Sequence, residues 1–223
     1  MDDNRHDKEK TTYRRTIKYL GLFGGSQGLS MLFNMVRKKF ASVLLGVSGQ
    51  SVIAIANRTV QMLSECTNLS LSFSAVRKLS DAYDNSDEET LLRCIKVVRS
   101  MAFFTGLLGV VLMLALMPLV SGWIFEDASS YYLPRFMLMS PVLFFMAVAN
   151  GELAILRAVK RLNKVAAYTL VSSLLSLIVS VPFYFLMGVG GIFLVILLTA
   201  LFQMCLLLSF TLPIYRYKVE PFS

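Results

Sequence analysis

Residues 101–120 read MAFFTGLLGVVLMLALMPLV, a run without a single charged side chain. A helix of about 20 residues rises roughly 30 Å, which matches the hydrocarbon core of a bilayer. Blocks of similar length and composition recur along the chain. Of its 223 residues, 56% are hydrophobic and 16% charged, against about 45–50% and about 25% in soluble domains. The sequence therefore predicts an all-α integral membrane protein.

The spacing of the apolar blocks predicts one bundle of six transmembrane helices. Residues 1–18 form a polar tail without the pattern of a cleavable signal peptide, the bundle covers 19–214, and a second polar tail covers 215–223. The expected spans are approximately 19–36, 50–76, 101–120, 136–156, 165–187 and 192–212. Glycines mark two of the tight turns, at Gly46 and Gly49 and in GVGG at 188–191.

The distribution of lysine and arginine predicts the orientation. Cytoplasmic loops are enriched in these residues. With both termini in the cytoplasm, 17 of the 22 basic residues lie on that side, in the two tails and the loops at 77–99 and 157–164. Only Arg37, Lys38, Lys39 and Arg135 lie outside, and Arg58 falls within a span. We therefore expect a multi-pass inner-membrane protein with both termini in the cytoplasm.

The composition argues against catalysis and against nucleic-acid binding. The three cysteines are scattered and match neither a disulfide framework nor a metal-binding spacing. The only histidine, His6, lies in the charged N-terminal tail. The net charge of +8 follows from membrane topology, so it does not indicate nucleic acid. We expect no enzymatic activity, no catalytic residues, no cofactor and no metal.

The predicted second span carries a polar stripe. Polar residues recur there at intervals of three and four residues, so they share one helix face. They include Asn57, Arg58, Gln61, Glu65 and Asn68. A charge near the bilayer centre costs at least ~2.5–3.5 kcal/mol, so this face must meet protein or a water-filled cavity. Either Arg58 attracts an anionic substrate with Glu65 as its partner, or the two form a buried pair that joins helices.

The cluster Arg37-Lys38-Lys39 is the second candidate site, because it lies on the side where few cations are expected. These side chains either extend to lipid phosphates at a helix end or form a basic mouth that receives a phosphate or pyrophosphate group. A third feature is NGELAILRAVKR at 150–161. Its Glu152 and Arg157 either line a vestibule or mark the membrane interface, and we favour the interface.

Residues 22–79 also carry a family resemblance. They contain FGGSQGLSMLFNMVRKKFASVLLGVSGQ, then a helix of small and polar residues, then SFSAVRKLSD. This stretch resembles the opening of bacterial O-antigen translocases, the lipid-linked oligosaccharide flippases of the multidrug, oligosaccharidyl-lipid and polysaccharide exporter superfamily. The resemblance covers nearly the whole chain but is specific only in its first 80 residues. The chain is thus similar to the N-terminal lobe of a MATE-like flippase.

The resemblance implies a function in lipopolysaccharide or other polysaccharide biosynthesis. Members of the family have two six-helix bundles around a cavity whose cations are thought to receive the pyrophosphate. That role would fall on Arg58 and the 37–39 cluster, with Asn57, Gln61 and Asn68 donating hydrogen bonds to sugar hydroxyls. The chain ends after one bundle, so it is expected to be a fragment of a longer transporter or a half that pairs with a second half or a second copy.

The expected function is flipping of an undecaprenyl-pyrophosphate-linked oligosaccharide by alternating access, as one lobe or half of the transporter. A drug or cation antiporter of the same superfamily would need an acidic cavity, yet only Glu65 and Glu152 lie in the spans. A membrane-embedded glycosyl- or phosphotransferase would need catalytic carboxylates with a metal, and the cluster at 81–89 is typical of a solvated helix start. A membrane partner subunit without transport activity is a further alternative.

Overall fold

The computed structural model describes residues 3–67, 77, 79–81, 83, 88–125 and 129–212. The elements are α1 (Asp3–Thr67), α2 (Glu88–Phe125), α3 (Ser129–Leu138), α4 (Ser140–Ala158), α5 (Leu162–Met187), a 3-10 turn (Gly188–Gly190) and α6 (Gly191–Thr211). Every element within these ranges is helical, which confirms the all-α prediction. Predicted site residue Asn68 and the C-terminal tail lie outside the described residues.

Helix α1 folds back on itself at Gly46. This residue has φ 68° and ψ −167°, a backbone conformation that is essentially restricted to glycine. The Gln50 side chain donates a hydrogen bond to the Lys38 carbonyl at 3.0 Å. In a straight helix, residues twelve positions apart would be about 18 Å apart along the axis. The parts of α1 before and after Gly46 are therefore two arms of a hairpin, here called the first arm and the second arm.

Helices α5 and α6 form a second hairpin around the Gly188–Gly190 turn. Near its open end, Lys164 Nζ in the first turn of α5 donates to the Phe210 carbonyl in the last turn of α6 at 3.0 Å. This bond satisfies a carbonyl that has no partner within its own helix. It also shows that the start of α5 and the end of α6 lie side by side, so the two helices run antiparallel.

Helices α2 and α4 approach each other closely because small residues face each other across their interface. A Cβ atom added at Gly151 of α4 would lie 2.9 Å from the Ala102 Cβ of α2. Real Cβ atoms do not approach that closely, so glycine is required for this spacing. The close approach brings the polar side chains of the two helices within reach of each other.

The largest apolar core joins the α1 hairpin to α2, α4 and α6. Its members include Ala56, Met113, Val142 and Phe193, each 1% exposed or less. Phe136 of α3 packs edge to face on Phe193 of α6, with 5.2 Å between ring centroids. These contacts are between elements far apart in sequence, and they hold the two hairpins in one bundle.

Within the described ranges, four segments could cross a bilayer by length and composition, which supports the prediction of a helical membrane protein. They are Gly24–Thr67, Glu89–Pro118, Leu133–Ala158 and Leu162–Thr211. The first segment contains the fold-back at Gly46, and the last contains the Gly188–Gly190 turn. Many large apolar side chains on these helices are exposed, for example Met31 at 68% and Phe185 at 75%, as expected of surfaces that meet lipid.

Helix α4 ends in a Schellman turn centred on a lysine. The Lys160 N–H donates to the Arg157 carbonyl, and the Arg161 N–H donates to the Leu156 carbonyl, each at 3.1 Å. These two bonds define the motif, whose central residue is usually glycine. Lys160 adopts φ 56° there. A residue with a Cβ pays roughly 1–2 kcal/mol for a left-handed conformation, so this lysine destabilises the turn relative to glycine.

Candidate functional site

A cavity of about 430 Å³, lined by both polar and apolar residues, lies between the two hairpins. Its volume falls in the ~300–1,000 Å³ range of small-molecule sites. Both arms of α1 line it, together with the end of α5 and the first half of α6. The lining residues are Arg37, Lys38, Ala41, Gln50, Ile53, Ala54, Asn57, Tyr184, Val195, Ile196 and Thr199. The fold-back at Gly46 is what brings residues 37–57 to one site.

Arg37 is held against α5 by a long-range hydrogen bond. Its guanidinium donates to the hydroxyl of Ser176, a buried residue on the face of α5 that also carries Ser173 and Ser180. Arg37 itself is half-buried. A guanidinium has five N–H donors, so the bond to Ser176 positions the side chain and leaves donor capacity for a ligand.

Lys38 lies beside Arg37, and its backbone links the two arms. Its carbonyl accepts the hydrogen bond from Gln50 described above. The side chain is exposed, which suits an ammonium group at the opening of the cavity. Gln50 therefore has two effects, because it lines the cavity and also ties the second arm to the residue that carries this cation.

The cavity is cationic. Among the described residues that line it, Arg37 and Lys38 are basic and none is a carboxylate. Two unit charges 4 Å apart attract by about 4 kcal/mol at an effective dielectric constant of 20. A partly enclosed site of this composition attracts anions and disfavours cations. Asn57, Gln50 and Thr199 add amide and hydroxyl groups suited to polar ligands.

The structure brings only some of the predicted site residues to this cavity. Arg37, Lys38 and Asn57 line it. Lys39 is exposed and is not among the lining residues. Because charged residues in a membrane span are unsuited to lipid, we expected the polar stripe to face protein or a water-filled cavity. Within this chain, however, Arg58, Gln61 and Glu65 are exposed.

The contact observed within the stripe is not the Arg58–Glu65 pair that we considered from the sequence. The Gln61 amide donates to the Glu65 carboxylate at 2.8 Å. Arg58 and Glu65 are both exposed, so they do not form a buried ion pair within this chain. Asn57 lies at the boundary, because it lines the cavity and is also an exposed residue of the stripe. The stripe thus continues from the cavity onto the outer surface of the bundle.

A buried ion pair does occur elsewhere, between α2 and α4. Arg99 Nε lies 2.7 Å from Glu152 Oε1, and Arg99 Nη2 donates to Glu152 Oε2 at 3.0 Å. The two side chains are 2% and 1% exposed. On the sequence, Arg99 belonged to a cytoplasmic loop and Glu152 to the membrane interface. The structure shows both inside the bundle, next to the close approach at Gly151.

Several residues of these sites were not among the sequence-based candidates. Tyr184, Thr199 and Ser176 lie on the second hairpin, more than a hundred residues from Arg37, and no local pattern connects them. Glu152, by contrast, was named from the sequence, because its position is unusual for an acidic residue. It is the only acidic residue between 133 and 212, and an acid in such an apolar segment requires a buried partner or a functional role.

The described residues thus form a helical bundle that has four segments able to cross a membrane by length and composition, with a cationic cavity between two hairpins. Comparison with family models, with curated proteins and with solved structures gave no match.

Proposed function

We propose that this protein binds the anionic head group of a lipid-linked oligosaccharide and transfers it across the bacterial inner membrane. The cationic cavity is the observation that carries the proposal, because Arg37 and Lys38 meet there and no carboxylate stands among the described lining residues. The planar fork of an arginine and the ammonium group of a lysine both suit a phosphate or pyrophosphate group. The lipid tail would remain in the bilayer beside the exposed apolar faces. No covalent chemistry is required.

The proposal includes six membrane crossings with both termini in the cytoplasm. Two hairpins support this number, since the segments Gly24–Thr67 and Leu162–Thr211 both fold back. Each would then cross twice, and the other two segments once. The basic turn between α4 and α5 would lie in the cytoplasm, in agreement with the distribution of lysine and arginine.

The exposed stripe on the second arm would form the rest of the substrate path. Arg58, Gln61 and Glu65 are unsuited to lipid, and they continue from the cavity through Asn57. In a two-lobed transporter this face would meet water and the opposite lobe, which a second half or a second copy would supply. Arg58 would attract the pyrophosphate, while Asn57 and Gln61 would bind sugar hydroxyls.

The test compares two adjacent lysines. The wild-type chain and the variants Arg37→Ala, Lys38→Ala and Lys39→Ala are reconstituted in vesicles with a fluorescent undecaprenyl-pyrophosphate oligosaccharide. Binding is measured by native mass spectrometry and transfer by accessibility of the fluorophore to a quencher. A hydrogen bond to a charged group contributes about 1.5–3 kcal/mol, so Arg37→Ala or Lys38→Ala should weaken binding about tenfold to hundredfold.

Lys39→Ala is the matched control, since it removes an exposed cation next to the cavity. It should change binding less than twofold. Equal losses in Lys38→Ala and Lys39→Ala would indicate attraction by the whole basic segment rather than by the cavity. Wild-type protein that binds no lipid-linked oligosaccharide in any oligomeric state would refute the proposed function.

A role as a non-transporting partner subunit is the second candidate, and the exposed stripe favours it. Arg58 and Glu65 on an outward face suit a complementary helix of another membrane protein as well as they suit a substrate. The same spectra separate the two roles. A partner subunit would bind no oligosaccharide alone, and Arg58→Ala would weaken its assembly with the other protein rather than ligand binding.

A further inference from the structure

The cavity between the two hairpins has an aliphatic wall as well as two cations. Among the described lining residues, the aliphatic ones are Ala41, Ile53, Ala54, Val195 and Ile196. They come from both arms of α1 and from α6, so the fold gathers them from distant parts of the chain. The proposed function gives Arg37 and Lys38 an anionic partner but gives this wall none. A bound phosphate alone would leave the wall uncovered, which indicates a ligand with an apolar part.

The wall lies close to the cations. Ala41 follows Arg37 by four residues on the first arm, and residues at this spacing are neighbours on one helix face. On the second arm, Ile53 follows Gln50 by three residues, and the Gln50 side chain bonds to the Lys38 carbonyl. Aliphatic side chains therefore begin about one helical turn from the basic residues. A ligand that fills this cavity changes from anionic to apolar within a few bonds.

The cavity also adjoins a surface that suits hydrocarbon. Phe185 follows the lining residue Tyr184 on α5, and Val43 lies two positions after the lining residue Ala41. Both side chains are strongly exposed, Phe185 at 75% and Val43 at 74%. Exposed apolar side chains on a helix that crosses a membrane suit contact with lipid chains. A long hydrocarbon chain that begins in the cavity would therefore leave it beside an apolar surface.

From these observations we propose that the cavity binds a phosphate or pyrophosphate whose hydrocarbon begins at the phosphate oxygen, as in a polyprenyl phosphate. Arg37 and Lys38 bind the anion, and the first isoprene unit packs on the aliphatic wall. A glycerophospholipid fits less well, because polar glycerol and ester groups separate its phosphate from its acyl chains. The inference rests on the anion binding of the proposed function and adds which part of the lipid enters the cavity.

Two small phosphate monoesters of equal charge test the proposal by calorimetry on the full chain in neutral detergent. Dimethylallyl phosphate carries one isoprene unit, whereas glycerol 3-phosphate carries a polar group of three carbons. Each buried methylene group contributes a factor of about four in affinity. Burial of two carbons should therefore make dimethylallyl phosphate bind about 15-fold tighter than glycerol 3-phosphate. Equal affinities, or inorganic phosphate that binds as tightly as dimethylallyl phosphate, would overturn the proposal.

Ile53→Thr tests the wall itself, and Ile55→Thr is the matched control. Both isoleucines are half-buried residues of the second arm that pack against the same core, but only Ile53 is among the described lining residues. Threonine can bond to a carbonyl of its own helix, so both variants should fold. Ile53→Thr should lower dimethylallyl phosphate affinity about fourfold and change glycerol 3-phosphate affinity less than twofold. Ile55→Thr should change neither affinity by more than twofold. Equal losses of both ligands in Ile53→Thr would overturn the role of the wall.

This inference and the proposed function fail in different ways. If neither phosphate binds to the wild type, the cavity is not an anion site and both are refuted. If the chain prefers dimethylallyl phosphate but transfers no oligosaccharide, the proposed function fails and the inference stands. If the chain transfers the oligosaccharide but does not distinguish the two phosphates, the inference alone is refuted.

Discussion

Two arginines in the apolar part of this protein have opposite environments. Arg99 is 2% exposed and makes two bonds with Glu152. Arg37 is half-buried, donates to the neutral hydroxyl of Ser176 and lines a cavity to which the described part of the chain contributes no carboxylate. The positive charge of Arg99 is thus neutralised by the protein, whereas that of Arg37 is not neutralised by any lining residue. Arg99 is therefore expected to act in stability and Arg37 in binding.

The two environments follow from how the helices meet. Glycine at position 151 lets α2 and α4 approach closely, which excludes space for a ligand and favours a direct ion pair. The bend at Gly46 instead sets two arms around a cavity. In an apolar medium, a charge must be paired, solvated or met by a ligand. The geometry of the backbone decides which of these applies to each arginine.

The largest expected effect is on the buried pair. Glu152→Gln removes the carboxylate that pairs with the buried Arg99 guanidinium, and breaking one side of a buried pair costs about 3–5 kcal/mol. We expect a large drop in melting temperature in detergent. The double variant Arg99→Met with Glu152→Leu removes both charges and should recover most of the stability. If the double variant were as unstable as Glu152→Gln, the loss would come from packing rather than from charge.

The second-largest effect is expected at Gly46, where α1 folds back and brings residues of both arms to the cavity. Gly46→Ala forces a Cβ into a glycine-only conformation and should cost about 1–3 kcal/mol. It should also weaken anion binding, because residues 37–57 would separate. Gly28→Ala is the control. Gly28 has open space around the position of a Cβ and an ordinary φ, so alanine there should be neutral or stabilising by up to ~1 kcal/mol. A tolerated Gly46→Ala would mean that the bend does not depend on this residue.

The smallest effect is expected when a carboxylate is added to the cavity, so that its cations are neutralised as Arg99 is. Gln50→Glu introduces a carboxylate near Lys38 and should lower pyrophosphate affinity about tenfold, equivalent to ~1.4 kcal/mol. A carboxylate cannot donate to the Lys38 carbonyl, so the variant also loses the hydrogen bond between the two arms, and the free energy of unfolding should fall by about 0.5–1.5 kcal/mol. Pyrophosphate titration by calorimetry measures the affinity. The control is Gln50→Leu, which loses the same hydrogen bond to Lys38 without adding a charge and should therefore bind pyrophosphate more tightly than Gln50→Glu. An unchanged affinity in Gln50→Glu would argue that anions do not enter this cavity.

The sequence predicted the helical class because apolar blocks of bilayer length allow no other regular structure in lipid. It also located both reversals, at Gly46 with Gly49 and at 188–191, because glycine at the end of an apolar run has few structural uses other than a turn. It did not indicate that α1 continues as helix through Arg37, Lys38 and Lys39. Three cations in sequence resemble a helix end, but the partner that holds Arg37 in place, Ser176, lies on a distant helix.

The site was harder to predict than the fold for a related reason. The polar stripe and the basic cluster were visible as local patterns, but periodicity alone does not say which residues share a cavity. The fold-back at Gly46 places Asn57 beside Arg37 and leaves Arg58, the next residue, on the exposed face. Similarly, Glu152 was visible as an isolated acid, while its partner Arg99 was assigned to a loop because its own neighbourhood is charged.

The α5–α6 hairpin has a consequence for biosynthesis. Residues 165–212 contain no aspartate, glutamate, lysine or arginine, and their connection is a three-residue turn. A charged residue at the centre of a helix raises the free energy of membrane insertion by about 2.5–3.5 kcal/mol. The α5–α6 hairpin carries no such residue. We expect it to partition from the translocon into lipid as one unit. The α1 hairpin must carry Arg37, Lys38 and Lys39 with it, so we expect its insertion to be the slow step in assembly.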